Sequence, residues 1–379
     1  MRKINLSSGL RFNAGITALA LSNTNFNYKI YTSTPKSKWP LNSRNKVFFR
    51  PLPFKILEYL TKIKRNRTLR EKDAIIFDNI VSMYSSDCDI FHGWATFCLK
   101  SSKVHKKRGS KFILDRACPH IEYQETLLIE EADLTNSTYN PISNRFMDRC
   151  LEEYELANQI LVPSNYSANS FLKKGFNKDK IKILRLSANF IPKKRKAFII
   201  KKNNFVLGTI GGNPLRKGIK YLVDAWQNLK LLNGTLLIKS SKNELKKNKE
   251  LYVRIKNDTS IRIISYVNNI EDFYMECDLF CLPSIDDGFG LVVLEAMACG
   301  IPVIATKNVG ASEMIENNIN GFVGKKRDVS FLESKILECY SDRDLLKHLS
   351  DKAFLSYRKY IKSNNNYNSN IIKIYENTI

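Results

Sequence analysis

Between Asp278 and Ala305 the chain reads DLFCLPSIDDGFGLVVLEAMACGIPVIA, and this stretch restricts the fold more than any other. The apolar run 279–282 has the length of a buried strand, and Pro283 and Ser284 close it. Gly288, Phe289 and Gly290 then make a tight turn, a helix begins near Leu291, and residues 302–305 supply the next strand. Strand, turn, helix, strand is the repeating unit of a helix-covered parallel sheet, so the sequence predicts an α/β protein. Such a turn can receive an anion, because a helix N-terminus exposes unpaired N–H groups and partial positive charge, and glycine admits close approach. Asp287 stands just before the turn and Glu295 in the helix beyond it, with seven residues between them. Carboxylates suit hydroxyls better than phosphate, as in the ribose-binding acids of dinucleotide sites, so the ligand suggested is a phosphate joined to sugars. The alternative is a turn that only packs a helix on a strand.

The same grammar recurs upstream. The apolar run 205–210 leads into Gly211, Gly212, Asn213, Pro214, Leu215, Arg216, Lys217 and Gly218, then a helix through Tyr221, Leu222, Ala225 and Trp226. The helix dipole opposes cations at such a start, so Arg216 and Lys217 are candidates for neutralising a diphosphate leaving group; a basic first turn without a ligand is the alternative. Further strands are expected at 236–238, 261–264 and 321–324, and Gly310 begins another turn into a helix. The first half reads as strands at 4–6, 28–32, 89–91 and 111–114, a helix through 16–21, and helix, strand, helix, strand over 155–186. His92 and His120 follow two of these strands, at the ends where open α/β sheets gather ligands. His120 otherwise caps or packs against the helix that starts at Ile121. Residues 192–204 are basic and free of acids, as an exposed linker would be.

At 379 residues the chain is long enough for two cores, and 43% hydrophobic content is that of a globular protein. No run of eighteen apolar residues occurs and the first residues lack the apolar core of a secretory signal, so a cytoplasmic protein is expected. Eight cysteines without a CxxC pair suggest neither a zinc site nor a disulfide scaffold. The net charge of +24 calls for an anionic partner. Residues 62–72 hold six basic residues and one acid, and residues 100–111 six and none. Phe54, Leu57, Leu60 and Ile63 beside Lys55, Lys62, Lys64 and Arg65 form an amphipathic basic stretch suited to an anionic membrane surface, with a merely solvated face as the alternative. Neither an aromatic RNA-binding pattern nor a recognition helix accompanies the lysines, which disfavours nucleic acid.

The stretch from Asp287 onward, and above all Glu295-Ala-Met-Ala-Cys-Gly-Ile-Pro-Val-Ile-Ala305, resembles the signature of glycosyltransferase family 4. That resemblance implies a GT-B fold, with two Rossmann-like α/β domains facing each other across a cleft. The expected division is an acceptor-binding domain at 1–192, a linker at 193–204, a nucleotide-sugar domain at 205–355 and a terminal helix at 356–379 that returns to the first domain. It also implies retaining, metal-independent transfer from a nucleoside-diphosphate sugar, the co-substrate, with no other cofactor. Residue by residue, Glu295 would hold the ribose, Gly288, Phe289, Gly290 and Leu291 the sugar and diphosphate, and Gly211, Gly212, Arg216 and Lys217 the diphosphate. Tyr266 and Val267 lie where relatives hold the base. Asp287 takes the place of a glutamate at the donor sugar. His120, in Asp115-Arg-Ala-Cys-Pro-His120, is similar to a histidine in the ERGSxH segment of one branch, and His92 to the histidine after the preceding strand; both are expected at the acceptor side, with Asp287, as catalytic candidates.

Three positions depart from the pattern: the shorter Asp287, Gly212 where the family usually has arginine, and residues 186–189 where a glycine is usual. The adjacent acids Asp286 and Asp287 keep a metal-binding carboxylate pair open as an alternative. The expected activity is transfer of a sugar to a hydroxyl of a glycan or lipid-linked acceptor in cell-envelope polysaccharide synthesis, at the inner membrane face. The rivals are an inactive nucleotide-sugar-binding relative and a basic nucleic-acid-binding protein.

Overall fold

The structure, a computed structural model, describes residues 2–61, 66–187, 192, 204–363 and 367–378. Residues 193–203 of the expected linker, and Lys62, Ile63, Lys64 and Arg65 of the amphipathic basic stretch, lie outside the described residues. In chain order the first half contains β1 (Lys3–Ser8), α1 (Ala14–Ser22), β2 (Asn27–Thr32), β3 (Val47–Phe49), α2 (Pro53–Thr61), α3 (Arg67–Tyr84), β4 (Ile90–Trp94), α4 (Leu99–Lys107), β5 (Lys111–Asp115), α5 (Ile121–Leu134), α6 (Asn144–Leu156), β6 (Gln159–Val162), α7 (Asn165–Leu172) and β7 (Ile181–Ile183). The second half contains β8 (Phe205–Ile210), α8 (Ile219–Leu229), β9 (Gly234–Lys239), α9 (Lys242–Leu245), α10 (Lys249–Asn257), β10 (Ile261–Ile264), α11 (Ile270–Glu276), β11 (Leu279–Leu282), α12 (Leu291–Ala298), β12 (Val303–Thr306), β13 (Gly321–Gly324), α13 (Val329–Ser341), α14 (Arg343–Lys362) and α15 (Tyr367–Asn377).

These strands form two parallel sheets, ordered β3-β2-β1-β4-β5-β6-β7 and β10-β9-β8-β11-β12-β13. Each sheet starts in the middle, grows one way, then crosses to grow the other, so each has a switch point, at β1/β4 and at β8/β11. There the connecting loops diverge and leave a crevice at the strands' C-terminal ends. Burial on both faces explains the near-continuous apolar strands: Leu279, Phe280, Cys281 and Leu282 of β11 are all fully buried. Polar side chains end the runs and start helices, as where the Ser143 hydroxyl accepts from Phe146 N and the Ser164 hydroxyl from Ser167 N.

Four details differ from the sequence reading. β4 runs on through His92 and Gly93 to Trp94, because the side chains there are covered, so His92 lies in a strand rather than in the loop after it. The turn at Gly310 enters a short 3-10 helix, Gly310–Met314, too brief to be an α-helix. α14 continues to Lys362, past the expected boundary at 355, and the expected terminal helix at 356–379 is divided between α14 and α15. α15 lies against α1, where the Tyr367 hydroxyl is 2.7 Å from Thr17 Oγ1 and accepts from Asn13 Nδ2 at 3.1 Å.

Candidate functional site

The two glycine-rich loops meet at the switch point of the second sheet. β8 ends at Ile210 and its neighbour β11 at Leu282, so loops 211–218 and 283–290 border one crevice. Gly218 is left-handed (φ 64°), and a β-carbon there would stand 2.1 Å from the Pro283 carbonyl oxygen, so only glycine lets the loops touch. Ile285 N donates to Arg216 O at 2.9 Å and Arg216 Nε to Asp286 O at 2.9 Å, which fixes one loop on the other. Around Gly212 no atom lies within 4 Å of where a β-carbon would be, so the place of the family's arginine is open space.

Charge is arranged unevenly on the adjacent acids. Asp287 is buried, pairs with Arg216 Nη2 at 3.2 Å and with Lys217 Nζ, and accepts from Phe289 N–H. Burial pushes its carboxyl upward, but Lys217 and Arg216 outweigh this and hold it below the usual range. Asp286 is fully buried and accepts from Gln124 Nε2 of α5 and from Tyr166 Oη of α7 at 2.9 Å. Its carboxyl is raised, because desolvation exceeds the help from Arg216 and these two donors. Asp287 thus occupies the two cations expected at a diphosphate, and Asp286 ties the second half to the first.

The turn itself is pressed against the first half. Gly288 O accepts from Ser164 Oγ at 2.6 Å and Ser167 Oγ at 3.1 Å, and a β-carbon on Gly288 would lie 2.3 Å from Ala117 O. Phe289 is buried, Gly290 adopts φ 82° as the cap of α12, and Leu291 opens that helix half-buried. Glu295, 7% exposed, is held by the Tyr274 hydroxyl of α11, which donates to Oε2 at 2.9 Å. Tyr266, 78% exposed, and the half-buried Val267 lie between β10 and α11. The Gly211 carbonyl accepts from Ser240 Oγ at 2.6 Å.

The histidines are not on this crevice wall. His92 is fully buried, stacks on Trp94 with ring centroids 4.3 Å apart, and its Nδ1 is 2.7 Å from the Tyr375 hydroxyl of α15. Burial lowers its pKa to about 3, so the ring is neutral. His120, 1% exposed, is boxed by Tyr154, Phe171 and Phe176, and burial lowers it to about 4. Its backbone N–H donates to Ser170 Oγ at 2.7 Å.

A cavity of about 660 Å³ opens between the halves, bordered by Gly212, Arg216 and Gly218 on one side and by Arg67, Arg70 and Gln124 on the other. The first-half residues of this wall were not singled out as site residues. The available signal was the basic cluster at 62–72, but nothing in a charge run says which way it faces.

Residues 190–355 match the family model described as Glycosyl transferases group 1. An uncharacterized glycosyltransferase of Methanocaldococcus jannaschii is 30% identical over 148 residues, 38% of this chain and 40% of the relative. The capsular polysaccharide biosynthesis glycosyltransferase CapM of Staphylococcus aureus is 29% identical over 45% of this chain and 44% of its own. For the O-antigen chain mannosyltransferase B of Escherichia coli the values are 27%, 66% and 68%. The chain therefore spans less than half the length of the first two of these relatives. Among solved structures, a Rickettsia africae glycosyltransferase superposes with TM-score 0.65 at 19% identity, over 100% of this chain and 97% of that one. The Anabaena protein HepE, solved with UDP and glucose, does so with TM-score 0.67 at 18% identity over the whole of both chains. At these identities the likeness is one of fold.

Proposed function

We propose that this chain, whose residues 190–355 match the model described as Glycosyl transferases group 1, transfers a sugar from a nucleoside diphosphate to a hydroxyl of a glycan or lipid-linked acceptor. The observation that carries the reading is the meeting of loops 211–218 and 283–290 at the second sheet's switch point, with Arg216 and Lys217 between them. In this reading residues 1–192 bind the acceptor, 205–355 bind the donor, and 356–379 return to the first domain. The incoming diphosphate takes Arg216 and Lys217 over from Asp287, which is freed to face the donor sugar. Those cations then stabilise the charge that develops as the sugar bond breaks, a contribution of about 3 kcal/mol, and no metal is required. Glu295, oriented by Tyr274, accepts from the ribose, the turn at Gly288, Phe289, Gly290 and Leu291 meets sugar and phosphate, Gly211 and Gly212 border the diphosphate, and Tyr266 and Val267 flank the base. His92 and His120 serve the acceptor side through the loops whose shape they hold. Transfer is proposed to retain configuration, and UDP in the HepE complex favours a uridine donor.

The names of the capsular and O-antigen relatives support a role in cell-envelope polysaccharide synthesis. α2 supports peripheral contact with an anionic membrane: it buries none of its residues and exposes Ile56, Leu57, Tyr59 and Leu60. Among the described residues no helix is long and apolar enough to cross a membrane. The cluster at 100–111 has a structural use instead, since Lys103 pairs with Glu152 and Lys106 Nζ donates to Leu156 O at 2.7 Å. Titration with uridine and guanosine diphosphate sugars, with and without EDTA, tests the proposal. Binding of one of them unchanged by EDTA, weakened at least tenfold by Glu295→Ala, is the expected outcome; no nucleotide bound at millimolar concentration refutes it. A binding protein without transfer is the second reading, favoured by the buried histidines and the occupied Arg216 and Lys217. Release of free or transferred sugar from the donor separates the two.

A further inference from the structure

The cavity between the halves has a wall that the donor loops do not explain. The first turn of α3 brings Arg67 and Arg70 to it, opposite Arg216. Arg67 is fixed in place: Nη1 donates to Tyr139 Oη at 3.2 Å and to Asn140 O, and Nη2 lies 3.6 Å from Glu125 Oε2. That carboxylate is shared, since it also accepts from Tyr139 Oη at 2.9 Å and Ile142 N at 2.7 Å. Arg70 has no ion-pair partner among the acids of the described residues, and it lines the same wall. The acids on the cavity, Glu131 and Glu244, are already neutralised, by Arg327 at 2.7 Å and by Lys247 at 2.7 Å. Glu125 offsets Arg67, so the cation of this wall without an ion-pair partner among the described residues is Arg70. The dipole of α3 adds to it, and two arginines in the first turn of a helix are unfavourable until an anion joins them.

We infer that this wall seats a phosphate or diphosphate carried by the acceptor, bound by Arg67 and Arg70 across the cavity from the donor loops. The inference rests on the proposed reading, in which the donor fills the opposite wall. A guanidinium fork matches phosphate oxygens two at a time, and Arg67 is already oriented for it, so little ordering cost remains. A sugar phosphate free in solution and a lipid-linked sugar phosphate share this chemistry. They differ in the chain, for which the exposed apolar face of α2, just before α3, provides a surface.

The test titrates inorganic phosphate by calorimetry into protein carrying Lys217→Gln, which removes a donor-side cation. Adding Arg70→Gln should weaken phosphate binding at least fivefold, whereas adding Arg262→Gln, which removes the same charge from β10, should leave it unchanged. Arg70 is chosen because its side chain makes no hydrogen bond or ion pair among the described residues, whereas Arg67 also anchors residues 139 and 140. Glucose 1-phosphate and phosphatidylcholine vesicles carrying a polyprenyl phosphate then serve as probes of the two sources; loss of affinity for either one on Arg70→Gln supports the site. Equal phosphate affinity with and without Arg70, or equal weakening by Arg262→Gln, overturns it. Nucleotide binding measured on Arg70→Gln alone stays within twofold of wild type, so failure here is distinguishable from failure of the donor reading.

Discussion

Asp287 and Asp115 are both buried carboxylates, yet their surroundings send them in opposite directions. Lys217 and Arg216 hold Asp287 below its ordinary value, so it contributes stability above pH 4 that is lost as pH falls through its lowered pKa. Asp115 has Asn13 as a donor and a neutral His92 with Nε2 4.0 Å away, and burial pushes it up to about 7. The folded chain then keeps a proton that the unfolded chain releases, so this group makes stability fall as pH rises from about 4 to about 7. The slope is at most about 1.4 kcal/mol per pH unit for one group. Glu153, also raised to about 7 by burial, adds a second group of the same sign. Asp115→Asn keeps an oxygen for Asn13 and should remove one group's share of that slope. Urea unfolding at pH 4.5, 6 and 8 measures it: the mutant gains on wild type at each step upward, and parallel curves would contradict the assignment.

At the scale of elements, the strands were legible and what covers them was not. β8, β10, β11 and β13 lie where their apolar runs and flanking turn residues put them, and β11 is apolar throughout because both its faces are buried. The three-residue edge strand β3, the four-residue α9 and the seven-residue α11 are too short to carry a period of their own. His92 was misplaced for a different reason. The polar segment after Phe91 resembles a loop, but Tyr375, some 280 residues later, covers it and keeps the chain in the sheet. No local pattern carries that information. The two glycine-rich loops were readable for the converse reason, because glycine positions and acid spacing are local, whereas the pairing of Asp287 with Arg216 joins residues 71 apart in the chain. The covering helix makes its own prediction. Tyr375→Phe leaves Nδ1 of His92 without its partner, in a site where Nε2 already lacks one, and should cost about 1–3 kcal/mol in thermal or urea unfolding. His92→Leu in the same chain should recover part of that loss, because an apolar ring position has nothing to satisfy.

For the whole molecule the question is how the halves come together. In this structure they are joined along the cleft by Gln124 and Tyr166 on Asp286, by Ser164 and Ser167 on Gly288, and by Asn165 and Arg185 on Glu313. On the far side of the cavity Asn248 Nδ2 donates to Thr135 O at 2.9 Å, and Arg327 Nε and Nη1 reach Glu131 at 2.7 Å and Glu130 at 2.6 Å. These ties are polar, the kind of contact that opens and closes, although one apolar cluster also includes buried residues of both halves, among them Leu161, Leu184, Phe289 and Tyr357. Gly288 and Phe289 are buried where the halves meet, so on the proposed function a donor that uses the turn enters while the halves are apart. Arg327 is the place to test this, because it stands outside the donor loops. Arg327→Glu sets a third acid against Glu130 and the buried Glu131, and like charges at that distance hold the halves open. Small-angle scattering should then give a radius of gyration above the roughly 21 Å of a compact chain of this length. On the proposed function, nucleotide affinity should stay within about threefold, whereas sugar transfer should fall at least tenfold because it would need both halves around one donor. Loss of nucleotide affinity in parallel with transfer would mean that the donor is bound by the closed form alone.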